Sequence, residues 1–596
     1  MWQWVISLGG LGAAVTFNLT LQAAEGLSPR EAARQIDQRL SDELFHAEDL
    51  NQLAPQVDDQ IFLRRVFLDL IGQLPSPDDV IAFALDTDPK KRESVIEKLL
   101  EDEAFGQNWG HYWRDVIMYR RTEDRALFAA QPLADYLALQ FNQNIPWDET
   151  ARSFITASGD VRENGATGLI MAQAGEPEDT VSEVARIFTG IQIQCAQCHD
   201  HPTDRWQREQ FHELAAFFPR TGLRPKNMDG QRSFEVISVN QSPRRRGGPI
   251  NVEFLFRRYD ANKDGKLTKD EVKESRQVSN QFDRFLSRVD QDKDQALSKE
   301  ELQKIPPPNN RPGRGSPEHR MPDLENPSAP GKVMQPVFFV TGQSMETGTR
   351  DEERREQLAH WITAKNNPWF GVAYVNRMWS ELVGEGFYEP IDDLGPDRQA
   401  TAPETLAYLS ESFVKNNHDM KWLFRTIMAT EAYQRESRTR RNPDQTPFLA
   451  NTAQRLRADQ LYRVLWSALE LPEQENRGPR RGGPRAVFQN LFGYDPSNLR
   501  EEIKGSVPQA LAMMNSPIVN QAITGGRRTA LGRMLNTMEK DEEIAVELYL
   551  KILARTPTED ELQVCLQHVA QVDKRQEAFE DVLWSLINST EFLHRR

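Results

Sequence analysis

Two short segments of this 596-residue chain carry donor atoms at spacings that hold metals. The first is DANKDGKLTKDE, residues 260–271. It fits the twelve-residue calcium loop of an EF-hand at each diagnostic position. Asp260, Asn262 and Asp264 offer side-chain oxygens at positions 1, 3 and 5, and Gly265 at position 6 allows the sharp turn. Lys266 offers its carbonyl at position 7, Thr268 sits at position 9, and Glu271 at position 12 supplies two oxygens. A second loop, DQDKDQALSKEE, starts 30 residues later. Asp290, Asp292, Asp294, the Ala296 carbonyl, Ser298 and Glu301 fill the same positions. Position 6 is Gln295 here, so the turn is expected at a steric cost and with weaker calcium affinity. Leu267 and Leu297, both at position 8, are expected to pair. VEFLFRRY before the first loop and NQFDRFLSRV before the second are expected to be helical.

The other segment is IQCAQCHDHPTDRW, residues 193–206, which holds two of the three cysteines. Cys195, Cys198 and His199 form CxxCH, the c-type haem attachment pattern. Two thiols at that spacing each form a thioether to a porphyrin vinyl group, and the adjacent histidine faces the iron. Two other readings stand beside haem c. Cys195, Cys198, His199 and His201 offer two sulfurs and two nitrogens suited to zinc or iron. A CxxC pair in an oxidising compartment also closes readily into a disulfide. For haem, the sixth-ligand candidates are His201, His212, Met171 and Met228. His201 is too close in sequence to His199 to reach the opposite face. Asp204, Arg205 and Trp206 read as a helix start, an Asp–Arg pair and a buried aromatic. Cys565 falls in a helical pattern and reads as a core thiol.

These donors need a scaffold, and the patterning makes it mainly α: a multi-domain helical protein with few strands and an inserted EF-hand pair. Val181, Val184, Ile187 and Phe188 share one helical face, with Thr180 and Glu183 as a capping box and Gly190 as a stop. Leu406, Leu409 and Phe413 form another stripe, with Thr401 and Glu404 as the cap. Leu423, Phe424, Ile427 and Met428 form a third. The stretch 332–343 reads as a strand. Segments 240–249, 306–332 and 475–485, rich in Gly, Pro and Arg, read as solvated linkers or loops. Apolar residues make up 38% and charged residues 27%, as in a water-soluble globular protein. Net charge is -16, from 73 basic and 89 acidic residues, which argues against nucleic-acid binding and suits hard cations. The first 24 residues are apolar and uncharged, with Ala23 and Ala24 as cleavage-site residues. They read as an export signal, or as an uncleaved anchor and the sole membrane contact. The expected location is periplasmic or extracellular.

FLRRVFLDLIGQLPSPDDV, FGQNWGHYWRDV and the CxxCH segment together resemble the planctomycete cytochrome-associated domain-of-unknown-function family 1549. After the insert, REQLAHWITAKNNPWFGVAYVNRMWSELVGEGFYEPIDDLG and RLRADQLYRVLWSALEL resemble its usual fused partner, family 1553. The resemblance implies an exported protein and carries the CxxCH element onto Cys195, Cys198 and His199, but no substrate. The expected division is 31–220 for the first helical domain, 250–305 for the EF-hand pair, 306–335 for a linker and 336–596 for the second helical domain. Three functions follow. One is a calcium-binding redox protein with haem c and a redox partner. Another is a calcium-dependent scaffold in a surface polysaccharide assembly. The third is a hydrolase built on His111, Asp115, Asp392 and Asp393, for which no recognised catalytic motif is present.

Overall fold

The computed structural model describes residues 27–46, 49–228, 231–240, 252–273, 282, 286, 290, 292, 294–303, 318–326, 328–438, 445–472 and 483–596. The apolar N-terminal run lies outside them, as do most of the linkers and most of the helix expected before the second calcium loop. Among the described residues no helix is long and apolar enough to cross a membrane.

The architecture is mainly α, and the apolar stripes form helices as their spacing requires. Val181, Val184, Ile187 and Phe188 are buried on the helix Pro177–Thr189, and Gly190 ends it in the left-handed conformation, φ 69°. The cap, however, is not Thr180. The helix starts a turn earlier with Pro177 in its first turn, and the Thr180 hydroxyl donates to the Glu176 carbonyl at 2.7 Å. Thr401 likewise does not cap. The helix Pro403–Lys415 opens after Ala402, again with proline in its first turn. Proline's fixed φ and missing N–H suit that turn. The expected strand at 332–343 is broken into Lys332–Val333 and Val337–Phe338. Among the described residues the one sizeable sheet is the antiparallel hairpin Thr221–Met228 with Gln231–Ser238, extended by Gly159–Asp160.

The main core draws on both sides of the insert. Trp113 stacks on Tyr374 at 5.8 Å, and Tyr374 on Phe413 at 5.3 Å. A second core, from Leu456 to Phe592, takes in Leu68 from the N-terminal half. A third small cluster, including Val252, Phe256, Leu267, Phe282 and Leu297, lies wholly within the insert.

Buried charges fasten these cores together. Arg595 grips Asp69 through Nε at 2.9 Å and Nη2 at 2.8 Å, and the Tyr433 hydroxyl donates to the same carboxylate at 2.9 Å. Asp392 lies between Arg186, at 2.7 Å, and Arg377. Removing one partner of such a pair leaves a desolvated charge unmet. Arg595→Met is therefore expected to lower the stability of the full chain by about 3–5 kcal/mol. Urea unfolding checks this, and adding Asp69→Asn should recover part of the loss.

Candidate calcium centre and the CxxCH turn

The insert builds two loops with the same internal wiring. The position-6 N–H donates to the position-1 carboxylate in each: Gly265 to Asp260 at 3.1 Å and Gln295 to Asp290 at 3.2 Å. The N–H of Asp264 donates to Asn262 Oδ1 at 2.9 Å, and that of Asp294 to Asp292 Oδ1 at 3.2 Å. Position 12 folds back similarly. Glu271 Oε2 accepts the Thr268 N–H and hydroxyl, and Glu301 Oε2 accepts those of Ser298. Leu267 pairs with Leu297 in a short antiparallel bridge, as the position-8 spacing predicts, and both side chains are buried. Gly265 has φ 80° and Gln295 φ 63°, so the second loop does adopt the left-handed turn with a side chain in place.

The donor sets fit calcium. Asp260 Oδ1 is buried with no hydrogen-bond partner. Asp290, Asp292 and Asp294 bring carboxylate oxygens within 4.8 Å of one another. Among the described residues this is the only group of three or more His, Cys, Asp or Glu ligand atoms so converged. Lys266, at position 7 of the first loop, sends its ammonium to Asp294, with Asp292 at 3.5 Å. That contact raises the Lys266 pKa and lowers that of Asp294.

The CxxCH segment is a surface turn. Ile193–Gln197 is a 3-10 helix, so Cys195 and Cys198, three residues apart, fall one turn apart on one side. Both thiols are free and exposed, as is His199. His199 Nδ1 lies 2.7 Å from the Asp200 carbonyl, which only accepts, so Nδ1 carries a proton and the neutral ring has its lone pair on Nε2. This arrangement fits the proximal side of a haem, because a ligating imidazole normally donates its other N–H in this way. It does not gather Cys195, Cys198, His199 and His201 into one four-ligand centre. Of the sixth-ligand candidates, Met171 is buried in the core and His212 is engaged behind the turn, while the Met228 side chain lies outside the described residues. Asp204 does not start a helix, and Arg205 pairs with Asp397 at 3.9 Å rather than with Asp204. Trp206 is buried against Phe339, as expected, and Cys565 is buried in the helix Glu559–Gln571.

The sequence did not single out the His212–His319 pair as a structural unit. His212 Nε2 lies 3.1 Å from the Gln197 carbonyl, so it carries the proton, and Nδ1 then accepts from His319 Nε2 at 2.9 Å. Burial keeps both imidazoles neutral, lowering His212 to about 4 and His319 to about 3. Arg208 lowers His212 further. Glu178 lies 3.9 Å from His319 Nδ1, but burial pushes its own pKa up. The hydrolase residues do not converge into one site. His111 and Asp115 are one turn apart on the helix Glu103–Met118, whereas Asp392 is buried between Arg186 and Arg377, and Asp393 pairs with Arg398.

Comparison with known families agrees with these segments. Residues 35–222 match the family described as "Protein of unknown function (DUF1549)", 354–489 the family described as "Protein of unknown function (DUF1553)", and 252–274 the EF hand. No curated protein and no solved structure matches the chain.

Glu271→Gln should weaken calcium binding at the first loop by calorimetry. Gln295→Gly, by relieving about 1 kcal/mol of left-handed strain, should tighten the second loop roughly fivefold. The histidine pair sets a pH dependence. Unfolded histidines titrate near 6.5 and these two much lower, so between about pH 6.5 and 4 the unfolded chain binds more protons. Stability therefore falls as pH falls through that window, by roughly 1.4 kcal/mol per pH unit for each histidine. His212→Gln should flatten the slope of urea stability against pH by about one proton.

Proposed function

We propose, for a chain that joins a DUF1549 region to a DUF1553 region around an inserted EF hand, an exported calcium-binding scaffold in which calcium holds the insert folded. The observation that carries this reading is the wiring of the paired loops, with Asp260 Oδ1 buried and unsatisfied. Calcium supplies the positive charge that these carboxylates share. The insert's core is a handful of side chains, and a core that small normally needs a metal or another cross-link. Export is inferred from the uncharged apolar run up to Ala24. Outside the cell calcium is plentiful, so even the strained second loop stays filled, which favours a structural role over sensing. The partner chemistry of such a scaffold is a surface polysaccharide assembly.

A second reading, an exported redox protein, rests on the CxxCH turn. Cys195 and Cys198 face solvent from one side, and His199 keeps Nε2 free. These residues would hold a haem c, which supplies one-electron chemistry when bound. The protein's own contribution is to hold the imidazole tautomer through Asp200 and to back the turn with His212 on the Gln197 carbonyl.

Two measurements on the full-length exported protein separate the readings. The scaffold predicts a colourless pyridine haemochrome assay on denatured, extracted protein. It also predicts a calcium-dependent unfolding transition that chelation lowers, by about 2.7 kcal/mol per site at a hundredfold excess over Kd. A c-type band that survives denaturation would make the redox reading the primary one. An unfolding profile indifferent to chelation would remove the scaffold.

A further inference from the structure

A small polar pocket, open to solvent, lies where the N-terminal helices, the segment 454–460, Tyr494 and the C-terminal strand meet. Arg455, Arg457 and Arg595 stand on its wall with Asp69 and Glu381. Register explains the convergence. Gln454–Arg455 pairs antiparallel with His594–Arg595, Gln454 opposite Arg595. Arg455 and Arg457 are two residues apart in extended chain and so share a side, while Leu456 between them is buried in the second core.

Four of these five charges have partners. Arg595 holds Asp69, Arg457 holds Asp459 at 3.2 Å and Asn108 Oδ1 at 2.5 Å, and Arg500 from outside the wall takes Glu381. The Arg455 guanidinium has no hydrogen-bond or ion-pair partner among the described residues. It is nonetheless held in place: its strand is paired, its carbonyl accepts the Tyr494 hydroxyl at 3.2 Å, and a Cβ at Gly505 would come within 2.9 Å of Nη1. The cavity and its paired surround thus hold four guanidiniums, Arg455, Arg457, Arg500 and Arg595, against three carboxylates, Asp69, Glu381 and Asp459. Burial lowers the Arg455 pKa, as it does for a desolvated cation without a counter-charge.

We propose that this cavity binds a small oxyanion, a carboxylate or a sulfate-type group, with Arg455 as its unpaired cation. A guanidinium presents parallel N–H donors that match two oxygens of one such group. Arg457 and Arg595 add positive field from the inner wall, where both are buried.

The test is calorimetric titration of the full chain, with calcium present, against sodium sulfate and sodium glucuronate, each compared with sodium chloride at equal ionic strength. The expected result is saturable binding of at least one of the two anions, weakened about tenfold or more by Arg455→Gln and less by Arg455→Lys. Sulfate alone would identify a tetrahedral ligand, and glucuronate alone a planar carboxylate. Arg455 makes no ion pair among the described residues, so Arg455→Gln should unfold at the wild-type temperature without anion, which keeps the comparison one of binding. No binding of either anion by the wild-type chain, or equal affinity in Arg455→Gln, overturns the proposal.

Discussion

An arginine buried in this protein must be met by a carboxylate or a carbonyl, and that requirement decides how the two halves of the chain sit together. Burial acts to raise the Asp392 pKa, yet Arg377 and Arg186 hold it far below the carboxylate range. Arg186 also takes Glu183 and the Val116 carbonyl, so one guanidinium ties two N-terminal helices to the chain beyond the insert. The consequence reaches the CxxCH turn. Four residues after Arg186, the Gly190 carbonyl accepts the Leu394 N–H at 2.9 Å, and further along Arg398 donates to Thr203 Oγ1 at 2.8 Å. The exposed thiols are thus mounted on a rigid seam, with the histidine pair behind them.

The chain is fastened to the helical body on either side of the calcium module in sequence. At its entry, Asn240 donates to Glu352 at 2.9 Å and accepts the Asp351 N–H at 2.8 Å. At its exit, Glu318 takes Arg220 at 2.7 Å and Arg354 at 2.8 Å, and His319 joins His212. Asp351, Glu352 and Arg354 all belong to the helix Asp351–Ile362.

What was legible in the sequence was local. The calcium loops could be read because their ligands lie within twelve residues and position 6 names its own conformation. Helical stripes could be read for the same reason. The two displaced helix starts share a cause: Thr180 and Thr401 look like caps, but Pro177 and Pro403 already occupy the first turn, and that signal is the stronger one. The hairpin 221–238 carried an Asp229-Gly230 signal between two runs, obscured because Pro225 and the charged residues interrupt the alternation. The ion pairs were out of reach. Arg186 and Asp392 are 206 residues apart, and Arg595 and Asp69 are 526 apart, so no spacing rule connects them. The cavity is made by the same long-range pairing and was hidden for the same reason.

The charge balance of the whole chain takes on meaning once its distribution is known. The sequence is acidic by 16 charges, yet the interior is crowded with arginines. Arginine suits such burial because its planar fork satisfies several acceptors at once and its charge is weakly hydrated, whereas lysine and the carboxylates prefer water. Among the described residues, buried guanidiniums and buried carboxylates come in nearly equal number, so the arginines taken inward are matched by acidic residues. The protein consequently presents two sites of opposite sign: carboxylate loops in the insert that attract a hard cation, and an arginine-walled cavity in the body. In the first calcium loop Asp260 Oδ1 is buried without a hydrogen-bond partner, and on the cavity wall the half-buried Arg455 guanidinium has none among the described residues.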